Sequence, residues 1–305
     1  MSTHKRFFSA RATALRPLLT FAFLFLTSQP CCTGAQAHAH EPALHAGDAA
    51  GAMQSSSIMA YNALRQQAPH LFAQMGNWQK GEISLVTEPS LILEAQELFY
   101  QKYVKKFTPE VAWAASRAGV IMQDPYVLVL RDAVRFPNGK LGLYNRKVTR
   151  STLDGGVAGA FCLPLLQDGR VAMLKEYRHQ ERRWRLSVPG GFRDAGESSE
   201  DAARREATEE TGYKLQELTL LGELDAEGEA VPLYIASVAG YAAATEADEG
   251  EALGGVIPMS FAELKKAVIA SGFRDANGTW LSLQANLGSV ILMAENFVAH
   301  RPERP

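Results

Sequence analysis

Apolar positions recur along this chain with two different periods, which predict strands in some stretches and helices in others. Short apolar runs that end in turn residues predict strands over 83–86, 126–130, 141–148, 156–166, 170–176, 218–224 and 233–238. Helical spacing and capped starts predict helices over 58–67, 91–106, 109–118, 199–211, 260–270 and 281–298. Strands, a central helix, more strands and terminal helices predict the α/β class, as an α/β/α sandwich.

These elements divide the chain into a leader over residues 1–37, a linker, an N-terminal extension and a sandwich domain. Residues 38–57 are rich in Gly, Ala and Ser, which predicts a flexible linker. Its histidines, His38, His40 and His45, have no Cys or acid at ligand spacing and are interpreted as solvated. Residues 58–150 are predicted to hold helices plus a β-hairpin, and residues 151–300 the sandwich.

The leader has the layout of a secretory signal peptide. Basic residues precede an apolar run over 18–26, no acid occurs before Glu41, and Ala35-Gln36-Ala37 offers a cleavage site. The run is too short for a comfortable membrane span, so no stable span is expected. A signal peptide implies a secreted or periplasmic protein. The alternatives are an organelle transit peptide, an uncleaved anchor, or a true start at Met53 or Met59 that leaves a cytoplasmic protein.

Composition is that of an ordinary soluble protein, with 47% apolar and 21% charged residues among 305. The formal net charge of −2 gives no reason to expect a nucleic-acid partner. Cys31 and Cys32 lie in the leader, and Cys162 lies in an apolar strand where a buried thiol is expected. These cysteines form no disulfide framework, so they do not decide the compartment.

One predicted helix carries acids where a stable helix avoids them. Ser198 and Ser199 are both suitable residues to cap its start, and Gly212 is suitable to end it. Glu206, Glu209 and Glu210 share one face in its last turn, where the carboxylates repel one another and lie at the negative end of the helix dipole. A bound divalent cation would offset this repulsion, because hard cations such as Mg²⁺ prefer carboxylate oxygens. The alternative interpretation is a solvated acidic face.

The stretch around this helix resembles the Nudix box, whose pattern is G-x5-E-x7-R-E-U-x-E-E-x-G-U with U an apolar residue. The positions in register are Gly191, Glu197, Arg205, Glu206, Glu209, Glu210 and Gly212, with Ala207 and Tyr213 at the apolar sites. The resemblance implies the Nudix sandwich fold and a Mg²⁺- or Mn²⁺-dependent hydrolase of a nucleoside diphosphate linked to another group. The metal ligands that it implies are Glu206, Glu209, Glu210, Glu197 and the carbonyl of Gly190.

Further features resemble the ADP-ribose pyrophosphatase group of that family. Arg178, in Tyr177-Arg178 at a strand end, is implied to lie near the substrate, and pairing with a nearby acid is the alternative. The acidic loop over 246–251 implies a general base, with Glu251 as first choice and Glu249 as second, and a solvated loop is the alternative. The N-terminal β extension implies a homodimer.

The expected reaction is hydrolysis of ADP-ribose to AMP and ribose 5-phosphate. The implied catalytic set also includes Glu209 and Arg205, and Arg205 is expected to orient a Glu. Two departures leave the substrate open: Ser187 stands where that group often has Glu, and Pro232 comes slightly later than its usual Pro. The alternative substrates are a sugar nucleotide, a dinucleotide or a coenzyme A derivative. A non-catalytic nucleotide-binding module is the alternative class.

Overall fold

The computed structural model of the chain describes residues 46–226, 228–242 and 252–301. Within them, the helices are α1 (Ala46–Gln67), α2 (Pro89–Tyr103), α3 (Pro109–Ser116), α4 (Ser199–Thr211), α5 (Phe261–Ile269) and α6 (Leu287–Ala299). The strands are β1 (Ser84–Leu85), β2 (Gly119–Gln123), β3 (Val127–Arg135), β4 (Leu141–Thr149), β5 (Gly159–Leu165), β6 (Val171–Arg178), β7 (Arg183–Ser187), β8 (Gly190–Phe192), β9 (Tyr213–Ala226), β10 (Glu229–Tyr241), β11 (Leu253–Met259), β12 (Phe273–Arg274) and β13 (Trp280–Leu283). The predicted leader and the three linker histidines lie outside the described residues. Among the described helices, none combines the length and the apolar character needed to cross a bilayer.

The N-terminal extension is built on a small antiparallel sheet centred on β3. The predicted hairpin is present, because β4 pairs with β3 along its whole length, while β1 and β2 share the opposite edge of β3. Alternate residues of β3 face opposite sides, so Leu130 packs against α1 and Ala133 packs against α2. Helices therefore cover both faces of this sheet and fix the position of β4.

Residues 46–57 depart from the flexible linker that their composition predicts, since they form the first half of α1. Alanine has the highest helix propensity, and Ala49, Ala50 and Ala52 favour the helix despite the neighbouring glycines. The second half of α1 is packed on the small sheet, where the buried Ser57 hydroxyl donates to the carbonyl of Ala118 at 2.8 Å. A helix anchored at one end extends at little cost into an alanine-rich segment.

The second sheet has the strand order β12-β13-β7-β6-β5-β10-β9, with β11 paired to β6 and β8 paired to β5. β5 runs parallel to β10 and antiparallel to β8. β6 and β7 form an antiparallel hairpin in which Glu176 is opposite Arg185. The site described below lies where β5, β6, β7 and β8 meet the N-terminus of β10.

Alternation along β5 shows that helices cover both faces of the large sheet. Leu163 packs with Leu264 of α5 and Val290 of α6, whereas Cys162 packs with Ala203 of α4. The predicted α/β/α sandwich is therefore confirmed. Cys162 is fully buried, as expected, and burial raises the pKa of its thiol to about 12.

The closing helix begins later than its apolar spacing predicts. Residues 281–283 belong to β13, which pairs in parallel with β7, and α6 begins at Leu287. The left-handed backbone of Asn286, with φ of 66°, separates the strand from the helix. The prediction was wrong there because an apolar run of this length suits either a buried strand or a helix, and pairing with β7 decides between them. The capping box predicted at Ser260 is present at the start of α5.

Candidate active site

α4 carries the acids of the box, and its two ends form as the sequence predicts. The Ser198 side chain accepts from the backbone N–H of Asp201, and Gly212 ends the helix in the left-handed region with φ of 71°. Three small residues, Ala202, Ala203 and Ala207, are fully buried against the sheet. This close packing turns the opposite side of α4, with Glu206 and its neighbours, toward β8 and the loop that follows it.

Arg205 joins the acids of the helix to the acid of the preceding loop. Its Nε and Nη2 donate to the two carboxylate oxygens of Glu197, both at 3.0 Å. Its Nη1 donates to Glu206 at 2.7 Å and to Glu209 at 3.4 Å. The hydrogen bonds to Glu197 raise the pKa of Arg205, and the same guanidinium holds the pKa of Glu197 below its usual value. Its Nη2 also donates to the carbonyl of Phe192 at 3.0 Å. Arg205 itself does not line the cavity described below.

The two glycines of β8 allow the acids to approach the backbone. A Cβ on Gly191 would lie 2.6 Å from Cδ of Glu206, so only glycine leaves room for that carboxylate. Gly190 has φ of 150° and a Cβ there would overlap the carbonyl oxygen of Ala160. The N–H of Gly190 donates to Oε2 of Glu210 at 2.7 Å. Glu206 and Glu210 are therefore both seated against β8.

Three of the expected metal ligands, Glu197, Glu206 and Glu209, are arranged around Arg205, whereas Glu210 accepts from the N–H of Gly190. In the described ranges, no group of three or more His, Cys, Asp and Glu side chains has the geometry to hold a metal ion. The donor set nevertheless suits a hard divalent cation, because it consists of carboxylate oxygens on partly buried side chains, with Glu197 16% and Glu206 13% exposed. Glu197, Glu206 and Glu209 place three carboxylates on one guanidinium, which leaves an excess of negative charge for a cation to offset. The residues therefore fit Mg²⁺ or Mn²⁺ in their chemistry.

A cavity of about 560 Å³ opens beside the box and has a volume typical of small-ligand sites. The box contributes Glu210 and the β8 residues Gly190, Gly191 and Phe192 to its lining. Arg178, the predicted substrate contact, lines the same cavity. The structure thus brings Arg178 and Glu210 to a common space, whereas Glu197, Glu206 and Glu209 meet at Arg205.

A hydrogen-bonded cluster of four residues forms one wall of this cavity. Glu176 accepts from Nη1 of Arg178 at 2.6 Å, from Ser187 Oγ at 2.7 Å and from Nη2 of Arg185 at 3.3 Å. Ser187 Oγ also accepts from Nε of Arg185 at 3.1 Å. Burial opposes ionisation of Glu176, but Ser187, Arg178 and Arg185 outweigh it, so the pKa of Glu176 lies below its usual value. Arg178 thus pairs with an acid and also lines the cavity, and its contact with substrate remains a prediction.

Sequence motifs do not predict some of the residues that line the cavity. Thr149 of β4 lines the cavity, and its N–H and Oγ1 donate to Glu229 of β10 at 3.1 and 2.6 Å. The N-terminal extension therefore borders the site, which no local signal in its sequence indicates. Glu176 carries a usable signal, because it ends the predicted strand over 170–176 and is two residues from Arg178, which shares its face if the strand continues to Arg178.

The two candidate base residues, Glu249 and Glu251, lie outside the described residues. The chain is described again from Ala252, whose carbonyl accepts from the N–H of Tyr177 at 2.9 Å. Ala252 and Leu253 both line the cavity. The assignment of Glu251 or Glu249 as general base remains a prediction.

Comparison with known proteins identifies the domain that contains the box. The family model of the NUDIX domain matches residues 157–271, which include the whole box. An ADP-ribose pyrophosphatase of Bacillus subtilis is 35% identical over 86 residues, which are 28% of this chain and 43% of that protein. An ADP-ribose pyrophosphatase of Saccharomyces cerevisiae is 37% identical over 82 residues, which are 25% of this chain and 36% of that protein.

These alignments span less than half the length of either relative. A crystal structure of an ADP compounds hydrolase is similar with a TM-score of 0.43 and 20% identity, covering 61% of this chain and 93% of that chain. The family match spans the segment that contains the box helix and β8. Residues 157–271 of this chain therefore form a domain of the Nudix hydrolase family, similar to that of ADP-ribose pyrophosphatases.

Proposed function

We propose that this protein is a divalent-metal-dependent pyrophosphatase that hydrolyses ADP-ribose to AMP and ribose 5-phosphate. The observation that carries the proposal is the meeting of the box carboxylate Glu210 and the cationic Arg178 at one cavity of about 560 Å³. A nucleoside diphosphate derivative needs a cation for its phosphates and a volume of this size for its sugars and base. The names of both relatives support ADP-ribose among such compounds.

Glu206, Glu209, Glu210 and Glu197, with the carbonyl of Gly190, are the groups that would hold the metal. When bound, Mg²⁺ or Mn²⁺ neutralises phosphate oxygens and lowers the pKa of a water. Arg205 keeps Glu197 and Glu206 at fixed positions through its hydrogen bonds. Arg178 binds the diphosphate, and the shared cavity wall orients it toward the box.

In the proposed reaction, the oxygen of a water forms a bond to one phosphorus and the bridging P–O bond breaks. The water proton passes to a carboxylate of the loop over 246–251, with Glu251 as first choice and Glu249 as second. The phosphate that leaves carries the electron pair of the broken bond. The products are AMP and ribose 5-phosphate, and no oxidant or second substrate is required.

The direct test is incubation of the purified protein with ADP-ribose and Mg²⁺ or Mn²⁺, with AMP identified by chromatography. We expect AMP release that chelation with EDTA abolishes. Failure to release AMP with either ion would refute the ADP-ribose assignment. A panel of sugar nucleotides, dinucleotides and coenzyme A derivatives then separates another Nudix substrate from an inactive protein.

A matched pair of variants tests whether the box is catalytic. Glu210→Gln removes a charge from a cavity-lining residue, and Glu200→Gln removes one from the exposed first turn of the same helix. An enzyme should lose at least about a hundredfold in kcat with Glu210→Gln and little with Glu200→Gln. A nucleotide-binding module would retain its affinity in both variants and show no turnover to lose.

A further inference from the structure

We infer that Glu176 is the positioning residue of the cavity's cationic wall, which holds Arg178 and Arg185 in place for the phosphates of the substrate. The inference rests on the proposed function for the identity of the substrate. Its structural part, the restraint of two guanidinium groups by one carboxylate, stands on the hydrogen bonds themselves. It concerns a residue that no box position includes.

The position of Glu176 follows from strand register. Glu176 lies opposite Arg185 in the β6–β7 hairpin, and Arg178 is two residues further along β6 on the same face. Ser187 is two residues beyond Arg185 on β7, so its side chain also reaches this face. All four residues line the cavity. A single carboxylate at the centre of this group contacts the other three side chains.

The charges explain what the carboxylate does. Glu176 is 21% exposed and Arg185 is 16% exposed, so neither side chain moves freely in water. Two guanidinium groups at this wall would repel each other without an anion between them. Glu176 contacts both guanidinium groups and lines the cavity with them, whereas Glu181, which also pairs with Arg185, is not a lining residue. Two cations and one carboxylate of this cluster therefore face the cavity. The wall therefore remains attractive to a diphosphate while its cations are held in fixed positions.

Ser187 completes the arrangement. Its hydroxyl donates to Glu176 and accepts from Arg185, so it contacts the carboxylate from the neighbouring strand. Because Ser187 Oγ is 2.7 Å from Oε2 of Glu176, a longer acid on β7 could place its carboxylate in the same space. This makes a relocation of the charge between the two strands a specific test of the inference.

The experiment compares wild type, Glu176→Gln, Ser187→Glu and the double variant Glu176→Gln/Ser187→Glu, with ADP-ribose and Mg²⁺. Loss of a charge-assisted hydrogen bond to Arg178 should raise KM about tenfold or more in Glu176→Gln and change kcat less than about threefold. The double variant should regain most of the lost affinity. Glu181→Gln is the matched control, since the Glu181 carboxylate also pairs with Arg185 at 3.1 Å, whereas Glu181 contacts Arg178 through its backbone N–H, which the substitution keeps. We expect its KM to stay within about twofold of wild type.

A second measurement separates this inference from the proposed function. Guanidinium NMR resonances of Arg178 report restricted rotation without any substrate, and we expect the restriction to be lost in Glu176→Gln and restored in the double variant. If the wild type turns over no nucleotide, the proposed function fails while this measurement still decides the role of Glu176. Unchanged Arg178 resonances in Glu176→Gln, or a KM no higher than that of Glu181→Gln, would overturn the inference. If Glu176→Gln does not fold, Glu176→Asp replaces it, with an intermediate loss of restriction expected.

Discussion

Arg205 forms a bidentate salt bridge with Glu197, in which Nε and Nη2 each donate to one carboxylate oxygen at 3.0 Å. The remaining Nη1 donates to Glu206 at 2.7 Å. One planar guanidinium thus sets the distance between an acid of the loop and an acid of the helix. Arginine is suited to this task because its donors form a rigid fork, which the single ammonium of lysine cannot reproduce.

Arg205→Lys should therefore damage activity more than a conservative change normally does. Lysine keeps the charge but cannot donate to Glu197 and Glu206 in the same geometry. The two carboxylates therefore lose their fixed relative position. We expect kcat/KM for ADP-ribose to fall at least about tenfold, and the Mg²⁺ concentration for half-maximal rate to rise. Steady-state kinetics over a Mg²⁺ series measures both quantities.

Arg204→Lys is the control for that variant. Arg204 is the neighbouring residue on α4. It pairs with Glu200 at 3.2 Å and donates to the carbonyls of Leu215 and Gln216. Its replacement should change kcat/KM by less than about twofold, because none of these residues lines the cavity. Equal effects of the two substitutions would show that Arg205 acts only through the general stability of α4.

The box helix could be predicted from the sequence because its signals are local. A cap, a run of small residues and a terminal glycine fix α4 to within one residue, at Ser199–Thr211. The same holds for the capping box of α5 at Ser260. Such signals depend on residues a few positions apart, so they need no knowledge of the rest of the fold.

The cavity wall could not be predicted in the same way, because it depends on contacts between strands. The hydrogen bond between Glu176 and Ser187 joins residues 11 positions apart through the register of β6 and β7. The contact between Thr149 and Glu229 joins residues 80 positions apart and two different sheets. Residues 281–283 were predicted as helix for a related reason, since only pairing with β7 identifies them as strand.

The buried pair of Tyr61 and Asp132 should be important for stability. The Tyr61 hydroxyl donates to a carboxylate of Asp132 whose other oxygen accepts from Nε of Arg146 at 3.0 Å. Burial, followed by the charge of Asp132, raises the pKa of Tyr61 above its usual value, so the hydroxyl keeps its proton. Tyr61→Phe removes a donor from an acid that is 6% exposed, and we expect a loss of about 1–3 kcal/mol.

Urea unfolding followed by circular dichroism measures this loss. Tyr144→Phe is the control, because Tyr144 is 55% exposed, and its free energy of unfolding should change by less than about 0.5 kcal/mol. A wild-type midpoint for Tyr61→Phe would mean that Arg146 alone satisfies Asp132.

Asp154 should make stability depend on acid pH. Its hydrogen bond from the buried Arg193 holds the pKa of this carboxyl at about 2, below the ordinary value of 3.8. Because the folded-state pKa is depressed, the stabilisation is present above pH 3.8 and is lost as the pH falls from 3.8 to about 2. The Asp154 side chain is 42% exposed, so solvent screening keeps the effect modest.

The measurement is the urea midpoint of wild type and Asp154→Asn across this acid range and near neutral pH. We expect the variant to be less stable near neutral pH and the difference to shrink as the pH approaches 2. A difference that stays constant with pH would assign the effect to lost hydrogen bonds alone.

Gly191→Ala should disturb the box without unfolding the protein. A Cβ at this position would lie 2.6 Å from Cδ of Glu206, well inside van der Waals contact, so the carboxylate must move away from β8. Gly191 is not among the glycines with left-handed φ, so an alanine backbone is tolerated there. Since a displacement of about 1 Å in a catalytic group can cost about a hundredfold in rate, we expect kcat/KM to fall by about that factor while Tm changes by only a few degrees.

Gly240→Ala is the control, because a Cβ at Gly240 meets no atom within 4 Å and should leave both quantities unchanged. Wild-type kinetics in Gly191→Ala would show that the position of Glu206 does not limit catalysis, and an equal loss in Gly240→Ala would point to the strands rather than the carboxylate.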